Sequence, residues 1–473
     1  MVFRKAALSS SEGVETLLTR SYTTLMNLPL KALICSDHTH SIVIKDCTKM
    51  SNVNKGFLPQ HFDNDLFAEI VRSISPRAEC VDFKQVPFSS KEGISSKLTD
   101  NASDDARVLG FRAFDVRYRN TDDEVKTCRV VFKIKPKYTE TWETVIKAVG
   151  KMGDDRTGED YAKRTFDNHY GIDTKELAVV AVEEPVWRAI MPDIYWSRRD
   201  DEREIYAFAM ENLRHSATHM DTGDDVSCWK EDDVVCVLQE IAAFHSVYYG
   251  QTELLPEAVK QSLTDIGTMT QTYTDDIMKK FMRRQLEENI KTYPELLTPQ
   301  IIRIIEESLM NVKNVCAILD GSPHTLTHND FNQRNLCLRQ TPVPRGKSRL
   351  CAYDWEFIRV TNPQHDVAEF LAFVLPANTE PEAWLPYLEA YRQALLQQLR
   401  NRNAPSDVQA SVEDRERFKQ VFDMCVLELV WNRIGAYMRF SAEIHPYAFL
   451  TRVVGNLLCY VEDMTALYDF LSA

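Results

Sequence analysis

The first clear pattern of apolar and polar positions lies between residues 80 and 137. Arg107–Tyr118 and Thr127–Pro136 are rich in β-branched and aromatic residues, and a polar, Asp-rich stretch separates them. Such runs are typical of two strands joined by a turn. We therefore predict an antiparallel hairpin here. Ile205–Leu213 has the composition of another strand that leads into a connector.

Helical spacing dominates the chain after residue 213. Glu231–Tyr249 repeats apolar residues at intervals of three and four and begins with acidic residues, as helices do. Ser411–Phe440 opens on Ser411 and Asp414, which are spaced as a capping box, and continues with an apolar face. Residues 174–192 also have a helical pattern. The predicted fold class is α+β, with a small antiparallel-sheet lobe followed by a larger, mostly helical lobe.

The chain is too long for one ordinary core. Its 473 residues exceed the ~250–300 at which single hydrophobic cores stop growing. We predict a helical N-terminal extension at residues 1–78, a small lobe at 79–213 and a helical lobe at 214–473. The first 36 residues carry Arg, Lys and Ser as organellar presequences do, but Glu12 and Glu15 oppose that reading. The expected location is cytoplasmic, with a mitochondrial one as the alternative.

Composition excludes several classes of function. The net charge of -14 argues against nucleic-acid binding, which needs clustered Lys and Arg. An acidic cleft for a cationic molecule would fit this charge, although plain solubility is the explanation that we prefer. No apolar run approaches the ~20 residues that a membrane span needs. The 11 cysteines are scattered without a C-x-x-C pair, which favours a reducing compartment and no zinc site.

The most informative segment runs from residue 325 to residue 357. Asn335–Arg339 and Ser348–Tyr353 look like strands, and the residues between them have turn chemistry. The H-N-D sequence that begins at His328 therefore lies on the loop entering a hairpin, and Asp354 lies at the exit of that hairpin. Both ends of one hairpin are close together, so Asp330 and Asp354 should meet.

Three of these residues have the chemistry that phosphoryl transfer requires. A kinase needs a carboxylate that orients the attacking hydroxyl and oxygen ligands that hold magnesium against the phosphates. Asp330, Asn335 and Asp354 can supply these groups. The five-residue spacing lets one loop direct Asp330 at the acceptor and Asn335 at the metal.

The motif H-N-D-x-x-x-x-N, followed by D-W-E, resembles the choline kinase and aminoglycoside phosphotransferase superfamily, which includes ecdysteroid kinase-like proteins. The resemblance implies a protein-kinase-like two-lobe fold and transfer of the ATP γ-phosphate, with Mg²⁺, to a small molecule. It implies that Asp330 is the catalytic base, that Asn335 and Asp354 bind magnesium, and that His328 braces the loop. The later segment Pro363–Leu371 is similar to the family's P-x-x-D-h-A element, which implies that Asp366 is a structural brace and not a catalyst.

The nucleotide-binding residues are assigned by the same resemblance. The sequence V-V-F-K-I-K-P resembles the strand whose lysine holds the α- and β-phosphates, and Lys133 is preferred to Lys135. Two solvated lysines on an edge strand are the alternative. Glu184 resembles the acidic partner of that lysine. Because a proline follows Glu184 and would kink a helix, Glu183 and Glu176 stay open.

Residues 207–213 resemble the hinge, in which Met210 and Asn212 would face the adenine edge. A buried strand would show the same apolar pattern. Ser89–Lys97 is the one candidate for a phosphate-covering loop, although a surface turn is the preferred reading. His245 is read as a core histidine, although its segment resembles a helix of the superfamily that ends in A-x-x-H.

The acceptor is predicted to be a small molecule with a hydroxyl, less readily an amine. Aromatic residues in the helical lobe favour a cationic or amino-alcohol acceptor through cation–π attraction, although aromatic residues at helical spacing are usually core; they are Trp355, Trp384, Trp431 and Tyr437. The sequence does not name the acceptor, the oligomeric state, or ATP rather than GTP. A protein kinase, disfavoured by D-W-E and the lack of A-P-E, and a catalytically silent binding protein are the rival functions.

Overall fold

A five-stranded antiparallel sheet occupies the first part of the chain. In the computed structural model, the described residues are 55–88, 107–137, 171–221, 223–263, 269–340, 348–443 and 446–464. The strands pair in the order β1-β2-β3-β5-β4. Their bounds are β1 Glu79–Val86, β2 Gly110–Arg119, β3 Val125–Lys135, β4 Ile194–Asp200 and β5 Ile205–Glu211.

The predicted hairpin is confirmed as β2 and β3. The two strands are antiparallel, and Lys133 of β3 lies opposite Phe111 of β2 on one side and Phe208 of β5 on the other. Asn120 organises the turn, because its side-chain oxygen accepts from the backbone N–H groups of Asp122 and Glu124. Lys133 is thus on a central strand of the sheet, not on an edge.

Among the described residues, one helix covers each face of this sheet. Helix α1 (Asn64–Ile74) places Phe67 against the face that includes Phe132 and Ile134. Helix α2 (Ile172–Val180) packs on the opposite face. Because side chains alternate along a strand, the lysines that flank these apolar residues in β3 point towards α2.

The helical pattern over residues 174–192 is broken in the structure, which corrects the prediction of one continuous helix. Helix α2 ends at Val180, and a separate short helix, α3, spans Pro185–Ala189. Pro185 occupies the first turn, where its missing N–H costs nothing. Glu184 is the N-cap, and its side chain accepts from the N–H of Val186.

The helical lobe follows the sheet. Its helices are α4 Leu213–Ser216, α5 Glu231–His245, α6 Glu257–Ser262, α7 Met269–Tyr273, α8 Asp276–Thr292, α9 Pro299–Met310, α10 Val312–Asp320, α11 Gln364–Val374, α12 Leu385–Asn401, α13 Ser406–Glu413, α14 Arg415–Leu429, α15 Gly435–Glu443 and α16 Leu450–Asp463. The helix predicted from residue 231 is confirmed as α5. The small antiparallel-sheet lobe and the larger helical lobe confirm the predicted fold class.

The single helix predicted for residues 411–440 is wrong in detail. Asp414 ends α13 and caps α14, since its side chain accepts from the N–H of Arg417. Ser411 lies inside α13 and donates to the carbonyl of Val408 instead of capping a helix. A π-helical turn, Val430–Ile434, then separates α14 from α15. This turn faces the catalytic segment.

Two small sheets lie in the helical lobe. The predicted hairpin is confirmed as β8 (Leu336–Gln340) and β9 (Ser348–Ala352), with β6 (Ala217–His219) beside β8. The second sheet pairs β7 (Thr325–Thr327) with β10 (Arg359–Thr361). Together they set the positions of the two ends of the catalytic segment.

Three of the four aromatic residues considered for a cation box belong to the core of the helical lobe. Trp355, Trp384 and Trp431 are 1%, 0% and 3% exposed. They pack with neighbouring apolar side chains in one cluster. These three rings are therefore not available to a ligand in this conformation. Within the described ranges, no helix is both long and apolar enough to cross a membrane.

Candidate active site

The two small sheets bring the predicted catalytic residues together. Asp330 follows β7, Asn335 immediately precedes β8, and Asp354 follows β9 by two residues. The N–H of Tyr353 donates to the carbonyl of Asn335 at 3.0 Å, which joins the two ends of the hairpin. Asp354 has a positive φ of 68°, in the left-handed region that is uncommon for residues other than glycine but is tolerated by Asp and Asn.

Asp366 anchors the backbone before Asp330. Its fully buried carboxylate accepts from the N–H of His328 at 2.7 Å and from the N–H of Asn329 at 2.9 Å. His245 lies 3.1 Å from the same carboxylate and 2.8 Å from the hydroxyl of Tyr391. Asn329 has a positive φ of 57°, so these bonds hold a loop in an otherwise unfavourable conformation.

His328 braces the loop from the other side. Its Nε2 donates to the carbonyl of Tyr353 at 3.1 Å, and its ring lies 4.5 Å from the ring of Trp355. The side chain is fully buried. His328 thus ties the loop that carries Asp330 to the segment that carries Asp354.

The carboxylate of Asp330 is held from several directions. Arg433 donates to Oδ1 at 2.6 Å, Asn332 donates to the same atom at 3.0 Å, and Tyr437 approaches it at 3.4 Å. Asn335 donates to Oδ2 at 2.7 Å. Burial opposes ionisation, but Arg433 and then the nearby guanidinium of Arg334 outweigh it, so the pKa of Asp330 is lowered. This carboxylate is ionised at neutral pH.

A buried ion cluster forms where α2, β3 and the D-W-E segment meet. Lys133 Nζ lies 2.7 Å from Glu176 and also donates to Asp354. Lys135 Nζ lies 3.0 Å from both Glu176 and Glu356. Glu176 also accepts from the N–H of Trp355 at 3.2 Å. One glutamate therefore links both lysines to the segment that follows β9.

Electrostatics keep most of this cluster charged. Burial opposes the charge of Lys133, but the carboxylates of Asp354 and Glu176 outweigh burial and raise the lysine pKa. For Asp354, burial is likewise outweighed by Lys133, so its pKa is lowered. Burial raises the pKa of Glu356, and the charge of Asp354 adds to that effect. Of the two carboxylates Asp354 and Glu356, Asp354 is therefore the anionic oxygen donor.

The donor set suits magnesium. Carboxylate oxygens of Glu176, Asp354 and Glu356 lie within 4.8 Å of one another. The amide nitrogen of Asn335 donates to Asp330, and no described residue donates to its amide oxygen. Hard cations such as Mg²⁺ prefer such oxygens. The chemistry of these oxygen donors fits a magnesium ion, for which Asn335 and Asp354 are the predicted ligands.

The structure assigns one predicted role to a different residue. Glu184 caps α3 and faces Arg402 at 3.6 Å, so Glu176 and not Glu184 is the partner of Lys133. The physical reason is the proline after Glu184, which starts a new helix. Met210 packs beside α2, and Asn212 caps α4 by accepting from the N–H of Arg214, so both lie at the end of β5.

Several residues near Asp330 were not predicted. Arg433 lies on the π-helical turn and contacts both Asp330 and Glu369 of α11. Arg334 directly precedes Asn335, and its Nη2 lies 3.8 Å from Asp330. The position of Arg334 inside the motif was a usable signal. Arg433 is 103 residues away from Asp330 in the chain, and no spacing rule connects them.

Comparison with known proteins supports the class that this geometry suggests. The model of the ecdysteroid kinase-like family matches residues 176–404, from Glu176 through α12. The match confirms the predicted resemblance to kinase-like small-molecule phosphotransferases. It ends before Arg433 and begins after Lys133.

Other comparisons add less. A solved structure described as "Glucosamine kinase (crystal form A)" is 14% identical, with a TM-score of 0.34, and the alignment covers 76% of this chain and 90% of that chain. No curated protein matches the chain.

Proposed function

We propose that this protein transfers the γ-phosphate of ATP, with Mg²⁺, to a hydroxyl group of a small molecule. The observation that carries the proposal is the convergence of five side chains on one site. A buried lysine–glutamate pair, Lys133 and Glu176, lies beside Asp354, and the hairpin brings Asp354 to Asn335 and Asp330. Phosphoryl transfer depends mainly on positioning and charge, which these groups supply.

The hydrogen bonds of Asp330 support one position for the acceptor hydroxyl. An ionised carboxylate offers about four lone-pair positions. Oδ1 already faces three donors, whereas Asn335 is the one described donor to Oδ2. We therefore place the acceptor hydroxyl against Oδ2, on the side of the carboxylate that faces Asn335. A hydroxyl there would be oriented by Asp330 without displacing Arg433.

Charge neutralisation would come from the other groups. Asn335 and Asp354 would hold Mg²⁺, which neutralises negative charge on the phosphates when it is bound. Lys133 would hold the non-transferred phosphates, and Glu176 would keep its ammonium in place. The acceptor oxygen bonds to the γ-phosphorus as the bond from that phosphorus to the bridging oxygen breaks. ADP leaves, and the hydroxyl proton passes to Asp330.

The test is turnover of a metabolite panel by the full chain with Mg-ATP, measured as ADP release. For an accepted substrate, Asp330→Asn should lower kcat by about 10²–10⁴-fold, because the carboxylate that takes the proton is lost. Asp82→Ala, at a half-exposed surface position, is the control and should leave kcat unchanged. Unchanged turnover in Asp330→Asn would refute the assigned role.

A further inference from the structure

Two guanidinium groups border Asp330. The side chains of Arg334 and Arg433 are 27% and 18% exposed, and that of Asp330 is 13% exposed. An acceptor that reaches Asp330 would therefore meet arginine side chains. Their arrangement bears on which acceptors can bind.

An enzyme recognises an ammonium group mainly through carboxylates and aromatic faces. Both carboxylates here already face the guanidinium of Arg433. Nη1 of Arg433 lies 2.6 Å from Asp330 and 3.2 Å from Glu369, so its guanidinium bridges the two. Arg433 also donates to the carbonyl of Asn329, which fixes its orientation. A positive group of the chain itself fills the place that a substrate ammonium would take.

The aromatic faces beside Asp330 are occupied in the same way. The guanidinium carbon of Arg334 lies 5.8 Å from the ring centre of Phe373, 5.5 Å from that of Tyr437 and 5.2 Å from that of Phe449. These are cation–π distances. Tyr437 was one of the four aromatic residues considered for binding a substrate cation. Its ring already contacts Arg334, a cation of the chain itself.

Arg334 keeps hydrogen-bonding capacity for a ligand. Its Nε donates to Asn332 at 3.1 Å, and its Nη2 donates to Tyr437 at 2.9 Å. No described residue accepts a hydrogen bond from Nη1. Guanidinium N–H groups of this kind bind carboxylate, phosphate and sulfate oxygens.

The charges agree with this geometry. Arg334 and Arg433 face the carboxylates of Asp330 and Glu369, so the group is neutral when both are ionised. Burial, together with the charge of Asp330, raises the pKa of Glu369 despite the contact with Arg433. Any protonation of Glu369 makes the group net positive.

We propose that the acceptor is a hydroxylated anion, whose carboxylate, phosphate or sulfate group binds Arg334 while its hydroxyl binds Asp330. Arg433 contributes a second positive charge, and amino alcohols are disfavoured. This inference rests on the proposed phosphotransfer. It replaces the preference for a cationic acceptor that the aromatic composition suggested.

Matched probes test the proposal. Two series differ in charge on similar skeletons: glycerate, glycerol and serinol, and glucuronate, glucose and glucosamine. ADP release with Mg-ATP is measured for each probe. In the wild type, a carboxylate member should exceed its ammonium counterpart in kcat/KM by about tenfold or more, equivalent to one well-placed charged hydrogen bond.

Variants assign the effect to Arg334. Arg334→Gln should raise KM for the carboxylate probe about tenfold and should lower kcat/KM for the carboxylate probe more than for the neutral probe, and Arg334→Lys should restore part of the loss. The control is Arg303→Gln, an exposed arginine on α9. Activity with the neutral probe shows that Arg334→Gln is folded.

Two outcomes would overturn the proposal: an ammonium probe that is turned over as well as its carboxylate counterpart, or an unchanged carboxylate KM in Arg334→Gln. If no probe is turned over, thermal stabilisation decides. The carboxylate probes must then stabilise the wild type and not Arg334→Gln, and the absence of that difference overturns the inference. A failure of magnesium-dependent ATP binding would instead count against the proposed function itself.

Discussion

Replacing Asp366 with alanine should destabilise the protein severely. The buried carboxylate accepts from the N–H groups of His328 and Asn329 at 2.7 and 2.9 Å. Each hydrogen bond to a charged group contributes about 1.5–3 kcal/mol, and an unpaired buried donor loses that contribution. His245 keeps its contact with Tyr391. The expected loss in free energy of unfolding is therefore about 3–6 kcal/mol.

Urea denaturation followed by circular dichroism measures this loss directly, with the midpoint and slope fitted separately. Asp82→Ala is the matched control, because Asp82 forms a half-exposed ion pair with Arg117 that should contribute less than about 1 kcal/mol. A loss below about 1 kcal/mol for Asp366→Ala would contradict the reasoning. It would mean that the two N–H groups find other partners and that Asp366 does not hold the loop.

Two further predictions concern buried glutamates. Glu176→Gln should raise KM for ATP about tenfold, because Lys133 loses the carboxylate that positions it, whereas Glu184→Gln should not change KM; equal effects would refute the pairing. Burial opposes the ionisation of Glu428, but the interaction with His365 outweighs burial. The pKa of Glu428 is therefore lowered to about 2, below its value of about 4.5 in the unfolded chain. Its contribution to stability is therefore complete above pH ~4.5 and is lost as the pH falls towards 2. Acid unfolding of Glu428→Gln should lack this dependence, and an identical pH profile in the wild type and the variant would count against it.

Local patterns predicted much of the fold. The hairpins β2–β3 and β8–β9 follow from alternation and turn chemistry within a few residues, and that same locality brought Asp330 and Asp354 together. The acidic partner of Lys133 was harder to predict from the sequence. Sequence resemblance favoured Glu184, but a proline at the first position of α3 makes Glu184 a cap, and packing of α2 on the sheet brings Glu176 to the lysine instead.

Long-range contacts could not be predicted. The π-helical turn that presents Arg433 has no signal in the apolar spacing of its segment, and the apolar face there predicted one uninterrupted helix. The aromatic residues were ambiguous for a related reason. A helical pattern cannot distinguish a ring that lines a site from one that fills a core, and only packing placed Trp384 and Trp431 in the core.

The most direct test of the central claim is thermal stabilisation of the full chain by ATP with and without magnesium. We expect a rise in melting temperature that requires magnesium in the wild type and that disappears in Asp354→Ala, with Asp82→Ala behaving as the wild type. Stabilisation that does not depend on magnesium, or that persists in Asp354→Ala, would contradict the assigned metal site. No shift with ATP or GTP at millimolar concentration would contradict the nucleotide site itself.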